Sequence, residues 1–217
     1  MRPLSLLEAR VLGVLVEKAH TVPDSYPLSL NSLTLGCNQK TARDPVIAAT
    51  EGEVQDAVDA LRSLSLVFES SGSRVTRFEH NVGRALGLPS QSVALLATLV
   101  LRGPQTTSEL RTNCERLHRF ADMSSVEGFL DELAMRGEEK GGALCVRLGR
   151  APGAREARWA HLMSGRVDVE RCDGPDDTSM PAGELAGMKA RVSAAEVEIA
   201  RLRALIERLL KELDVKP

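Results

Sequence analysis

The chain has 217 residues, 43% of them apolar and only 3% aromatic, with 27% charged and a formal net charge of −2. That length suits two small domains plus an extension, with cores resting on Leu, Val and Ala rather than on rings. No apolar run approaches the roughly 20 residues of a membrane span, and Cys37, Cys114, Cys145 and Cys172 form no CxxC pair, which excludes membrane and disulfide-framework classes.

The start of the chain carries Glu8 early and no signal-peptide cleavage pattern, so a cytoplasmic location with reduced thiols is expected. Cys37 and Cys145 fall within apolar patterns and read as small core residues rather than nucleophiles. The charge is unevenly spread. Residues 1–83 hold 8 basic and 10 acidic side chains (−2), residues 84–166 hold 12 and 9 (+3), and residues 167–217 hold 8 and 11 (−3). Only the middle region is basic.

In chain order, Leu4, Leu7, Val11, Val14 and Leu15 recur at the helical period and predict a first helix over 4–19. A loop with two prolines follows over 22–27. Ser29 can cap a short second helix, with Leu30, Leu33, Leu35 and Cys37 supplying its apolar contacts. Gly36 and Asn38 are expected to end it in the left-handed conformation. After a polar connection over 39–49, Thr50 and Glu53 form a capping box that opens a third helix, with Val54, Val58, Leu61 and Leu64 inward. Strands over 66–69 and 75–79 then make a hairpin around Ser70-Ser-Gly-Ser73.

The same order recurs. A helix over 93–101 stops at Gly103-Pro104. Thr106 and Glu109 form a second capping box, and Ser124 with Glu127 opens a further helix carrying Phe129, Leu130 and Leu133. Strands over 144–148 and 157–162 flank Pro152-Gly153. The caps Thr50 and Ser124 stand 74 positions apart and Ser29 and Thr106 stand 77 apart, which argues for internal duplication. The expected fold class is mainly α with small β-hairpin wings: winged-helix domains over 1–83 and 84–166, a flexible linker over 167–183 rich in Gly, Pro and Asp, and a coiled-coil helix over 184–217. In that last segment Leu185, Met188, Val192, Ile199, Leu202, Ile206, Leu209 and Leu213 fall on a heptad. Val192, Ile199 and Ile206 at a with Leu202 and Leu209 at d favour a parallel homodimer. Leu205 and Leu210 widen the apolar face and leave a higher oligomer, or folding back onto the domains, as the alternative.

Particular residues also carry a family resemblance. Glu8-Ala-Arg-Val-Leu-Gly13, Tyr26-Pro-Leu-Ser-Leu-Asn31, Asn38-Gln-Lys40, Arg43-Asp-Pro-Val46, Arg102-Gly-Pro-Gln-Thr106 and Glu156-Ala-Arg158 follow one another as in the YceH-like family. The similarity runs from about Leu4 to Ser164. It implies two winged-helix domains, in a bacterial family with no agreed function.

Four functional readings follow. Winged helices place the third helix in the DNA major groove and a wing on the backbone. Here the first such helix carries Glu51, Glu53, Asp56 and Asp59 against Arg62, and the second carries Glu127, Asp131 and Glu132 against Arg136. A carboxylate about 6 Å from a phosphate costs on the order of 0.7 kcal/mol even in water. The hairpins differ: Arg147, Arg150, Arg155 and Arg158 on the second, and Arg74 and Arg77 on the first, suit phosphate contact. A solvated loop whose arginines pair with neighbouring acids is the alternative. Asn38, Gln39, Lys40, Arg43 and Asp44 form the densest polar cluster, readable as a partner or phosphate site, although a self-satisfied loop is the favoured reading. His20, His80, His118 and His161 are isolated, no metal-ligand spacing occurs, and no P-loop, GxSxG or GxGxxG motif is present, so no cofactor, metal or catalysis is expected. The chain is therefore read as a dimeric, non-enzymatic binding module with double-stranded DNA as partner through the wings. The alternative is a protein-interaction scaffold that uses Glu53 and Asp56 with the polar connection, similar to chromosome-organisation partners.

Overall fold

The computed structural model describes residues 2–70, 75–150 and 156–165, and these belong to one compact unit. The expected linker, the coiled coil with all its heptad positions, Cys172, Arg74 and Arg155 lie outside the described residues.

Among the described residues the architecture is seven α-helices and two small antiparallel sheets, in an order that occurs twice. The first pass runs α1 (Leu6–Thr21), β1 (Leu28–Ser29), α2 (Leu30–Cys37), α3 (Glu51–Ser63), β2 (Val67–Ser70) and β3 (Arg77–His80). A short α4 (Val82–Leu86) leads to the second: α5 (Ser90–Arg102), α6 (Thr107–Cys114), α7 (Met123–Ala134), β4 (Cys145–Arg147) and β5 (Trp159–His161). The first sheet has the order β1-β3-β2, with Leu28 opposite Phe78 and Phe68 opposite Glu79. In the second sheet β4 pairs with β5, and Gln105 bridges to Trp159 at the place where β1 sits in the first.

Local chemistry explains most boundaries. Ser5 and Glu8 form a reciprocal capping box at the start of α1, as do Thr50 and Glu53 at α3 and Thr106 and Glu109 at α6, each satisfying amides that the first turn leaves unpaired. The helix α5 stops at Gly103, whose φ of 74° suits glycine, with Pro104 next. Each hairpin is tied at its start to the preceding helix: Leu66 N–H donates to Leu61 O at 3.0 Å and, after a 3-10 turn over Glu138–Lys140, Leu144 N–H to Leu133 O at 3.0 Å.

Every residue from Ser92 to Leu101 in α5 is buried. One face, Val93, Ala97, Val100 and Leu101, joins the core around α1, Leu33, Val58 and Phe78. The opposite face, Ala94, Leu95, Leu96 and Leu99, joins the core built on Leu110, Val126, Leu130 and Trp159. Met163, beyond β5, also enters the first core, and Leu4 N–H donates to its carbonyl at 2.8 Å. The two halves of the repeat are thereby fused through one helix.

Several expectations need correction. Leu35 is 65% exposed, because Leu30, Leu33 and Cys37 already fill the inward face of α2 and Leu35 lies about 200° round from Leu33. Asn38 caps α2 at φ −88°, not in the left-handed region. Gly36 lies inside the helix, where an added Cβ would stand 2.6 Å from Val14 Cγ1. The helix α7 starts two residues earlier than the expected Ser124 box: Asp122 is its cap, accepting from Ser125 N–H at 2.7 Å. The strand β1, two residues long, and α4 were not legible as elements in the sequence.

Gly36 and Gly128 separate close packing from helix propensity. Gly36→Ala should destabilise by about 1–3 kcal/mol through overpacking against Val14, more than the helix gains from alanine. Gly128→Ala, inside α7 with nothing within 4 Å of the added Cβ, should stabilise by up to about 1 kcal/mol. Urea unfolding of the two variants would show opposite signs; equal signs would contradict this packing.

Candidate functional site

The polar stretch after α2 folds into a braced loop against α1. Asn38 brackets Ala49, donating from Nδ2 to its carbonyl and accepting from its N–H, both at 2.8 Å. Arg43 has no exposed side-chain surface and grips Glu17 on α1, with Nη2 to Oε2 at 2.6 Å and Nη1 to Oε1 at 3.1 Å. The same guanidinium donates to Gly36 O, Ala42 O and Gln39 Oε1. Arg10, 1% exposed, donates to Cys37 O at 3.2 Å and Pro45 O at 2.6 Å, fixing both ends of the loop to α1. Burial pushes the Arg10 pKa down, with nearby Arg43 adding to the effect; burial pushes the Glu17 carboxyl up, but the hydrogen bonds and charges of Arg43 and Lys18 together hold it below its usual range. Asp44 N–H donates to Leu101 O at 2.8 Å, joining the loop to the end of α5. Lys40 is exposed.

Where this loop meets the second half, a cleft of about 200 Å³ opens, lined by Glu17, Lys18, Gln39, Arg102, Asn113 and Arg116 among others. Lys18 Nζ donates to Gln39 Oε1 at 3.2 Å and lies 3.4 Å from Glu17 Oε2. Arg102 and Arg116 make no ion pair or hydrogen bond among the described residues. Sequence reasoning singled out Gln39 and Arg43 but not Glu17, Lys18, Arg102 or Arg116 as their companions. The signal available was Arg102-Gly-Pro in the family resemblance; nothing in the sequence says that it meets a loop some 60 positions earlier.

The hairpin arginines divide. Arg77 on β3 is half-buried and donates to Pro27 O at 2.8 Å. Arg158 pairs with Glu109 at 3.1 Å and donates to Pro104 O at 2.8 Å, its side chain still about half exposed. Arg147 is exposed, its guanidinium carbon 5.8 Å from the Trp159 ring centroid, and Arg150 is exposed. On α3, Glu51, Glu53, Asp56 and Asp59 are all exposed, as are Asp131 and Glu132 on α7. Glu53 is held below its usual pKa by bonds from Thr50, and Asp59 pairs with Arg62 at 3.1 Å.

Cys37 and Cys145 are buried, and burial pushes both thiols up to about 12, which suits packing rather than nucleophilic attack. Burial, with His20 nearby, pushes His80 down to about 4. Among the described residues no group of three or more His, Cys, Asp or Glu is arranged to hold a metal ion, and no helix is long and apolar enough to cross a membrane.

A helical protein with a twice-used element order, polar loops fastened by buried arginines and a cation-lined cleft is the class these features define. Residues 4–154 match the family described as "Protein of unknown function, DUF480", and the chain belongs to this family, in line with the YceH-like resemblance of its motifs. It is similar to a UPF0502 protein of Burkholderia ambifaria (strain MC40-6), 58% identical over 219 residues that cover 99% of this chain and 91% of the relative. A UPF0502 protein of Burkholderia multivorans is 59% identical over 218 residues, with the same shares covered. One of Cupriavidus taiwanensis is 56% identical over 220 residues, covering 99% of this chain and 89% of its own length. These names state no activity.

Arg43 should be the costliest polar side chain to remove from this loop. Arg43→Ala leaves Glu17 partly buried with only Lys18, 3.4 Å away, beside it and should destabilise by about 3 kcal/mol in urea unfolding. Adding Glu17→Gln to that variant should recover more than 1 kcal/mol, since the uncompensated charge is then gone. Strictly additive losses would show that the pair is not coupled.

Proposed function

We propose that this protein is a non-enzymatic binding module built from two winged-helix domains, over 1–83 and 84–166, that associates with double-stranded DNA through its second hairpin. The observation carrying the reading is the exposure of Arg147 and Arg150 on that hairpin, without a carboxylate partner among the described residues. The element order supports the class: three helices and then a two-stranded hairpin, twice over, with the strand β1 of the first half matched in the second by the Gln105–Trp159 bridge. Third helices lined with carboxylates oppose base readout in the major groove, so binding is expected to tolerate sequence and to follow the backbone. Arg77, committed to Pro27, contributes little. Arg158 is exchangeable, because an exposed pair such as Arg158–Glu109 is worth about 0–1 kcal/mol.

A protein-interaction scaffold is the second reading, favoured by the exposed carboxylates of α3, with Glu53 and Asp56 as its contact residues. In either reading the heptad over 184–217, outside the described residues, is proposed from its sequence to hold a parallel homodimer.

Duplex binding should weaken with salt at a slope of about −1.8 in log–log form if Arg147 and Arg150 each neutralise one phosphate, and about −2.7 if Arg158 joins them. Replacing Arg147 and Arg150 with alanine should flatten the slope and weaken all duplexes alike, and Glu53→Gln with Asp56→Gln should strengthen binding. Absence of duplex binding at low salt would defeat the DNA reading and leave the scaffold. Dimerisation has its own check: truncation after Gly183 should give monomers by light scattering, and an unchanged mass would refute it.

A further inference from the structure

We propose that the cleft between α1, the loop after α2, and the ends of α5 and α6 is a binding site for a small phosphomonoester. Its cations come from three elements that are remote in sequence: Lys18 on α1, Arg102 at the end of α5 and Arg116 just after α6. The one carboxylate in the lining, Glu17, is already held by two nitrogens of buried Arg43. With Arg43 balancing Glu17, Lys18, Arg102 and Arg116 leave about three positive charges around the cleft.

Helix ends oppose part of this positive charge. The C-terminal ends of α1, α5 and α6 all reach the cleft, and each helix end carries about half a negative charge. Together they offset about one and a half of the three positive charges, so the cleft stays electropositive. Neither arginine is spent on a helix end by a hydrogen bond: Val22 N–H caps Lys18 O, Gly103 N–H caps Leu99 O, and Leu117 and His118 N–H cap Cys114 O. Guanidinium forks match the paired oxygens of a phosphate.

Neutral donors complete the site. Gln39 spends its Oε1 on Lys18 and Arg43, which leaves its Nε2 as a donor with no partner among the described residues. A single phosphate group does not fill about 200 Å³, and Leu101 and Leu117 in the lining offer an apolar wall for the organic part. The site is separate from the hairpin arginines, so the proposal stands whether or not duplex DNA binds there.

The test is titration calorimetry on the full chain in low-chloride buffer, with inorganic phosphate and then glycerol 3-phosphate as probes. Saturable binding of both is expected, tighter for the ester. Arg102→Gln and Arg116→Gln should each weaken it about tenfold or more, the loss that goes with one charge-assisted hydrogen bond, while Arg84→Gln, at an exposed arginine on α4 outside both the cleft and the hairpins, should leave it unchanged. Circular dichroism melts confirm that each variant is folded, and Arg116→Gln, on an exposed side chain, is the safer of the two. A short duplex that displaces glycerol 3-phosphate from the wild type, with Arg116→Gln losing the duplex as well, would assign the site to a backbone phosphate and overturn the small-ligand proposal. No saturable heat, or equal binding by wild type and both variants, would overturn it outright.

Discussion

The packing of α1 on α5 is the contact on which the rest of the molecule depends. Gly13 makes it possible: a Cβ there would stand 3.0 Å from Leu101 and 3.2 Å from Val100, so the glycine lets the two helices approach closely. With α5 buried on both faces, its apolar side chains serve two cores at once. Burying one leucine contributes about 1.5–3 kcal/mol, so this helix carries a large share of the apolar stabilisation of both halves. Neither half of the repeat has a complete core without it.

That same contact sets the position of everything polar. The end of α5 holds the loop after α2 through Asp44 and Leu101, and a Cβ at Gly103 would meet Asp44 Oδ2 at 3.0 Å. Arg10 and Arg43 then brace the loop from the α1 side. Two buried guanidiniums with one ion-paired carboxylate are tolerable because backbone carbonyls accept most of their hydrogen bonds. The loop is therefore rigid polar architecture, and its outer edge supplies one wall of the cation-lined cleft.

The surfaces available to partners are what remain after these internal commitments. Arg77 and Arg158 belong partly to the protein's own loops, whereas Arg147 and Arg150 face solvent. The carboxylates of α3 have local duties as well: Glu53 closes a capping box, Glu51 accepts from Asn31, and Asp59 pairs with Arg62. An acidic helix face is thus a consequence of helix chemistry before it is a binding surface.

By itself the sequence determined the elements whose cause is local. The capping boxes at Thr50 and Thr106, the stop at Gly103-Pro104, both hairpins, and the burial of Cys37 and Cys145 could all be read from neighbouring residues. It misplaced features whose cause is distant. Leu35 has the composition of a core residue but the wrong angle on a short helix, and Gly36 answers to Val14 rather than to its own helix end. The strand β1 is two residues long and exists only because β3 offers it a ladder, so no periodicity marks it. The pairing of Arg43 with Glu17, and the meeting of Lys18, Arg102 and Arg116 at one cleft, were decided by tertiary structure alone. Periodicity and capping act within a few residues, while the partner of a charge is chosen by which helices pack together, and only the folded α1–α5 contact made that choice.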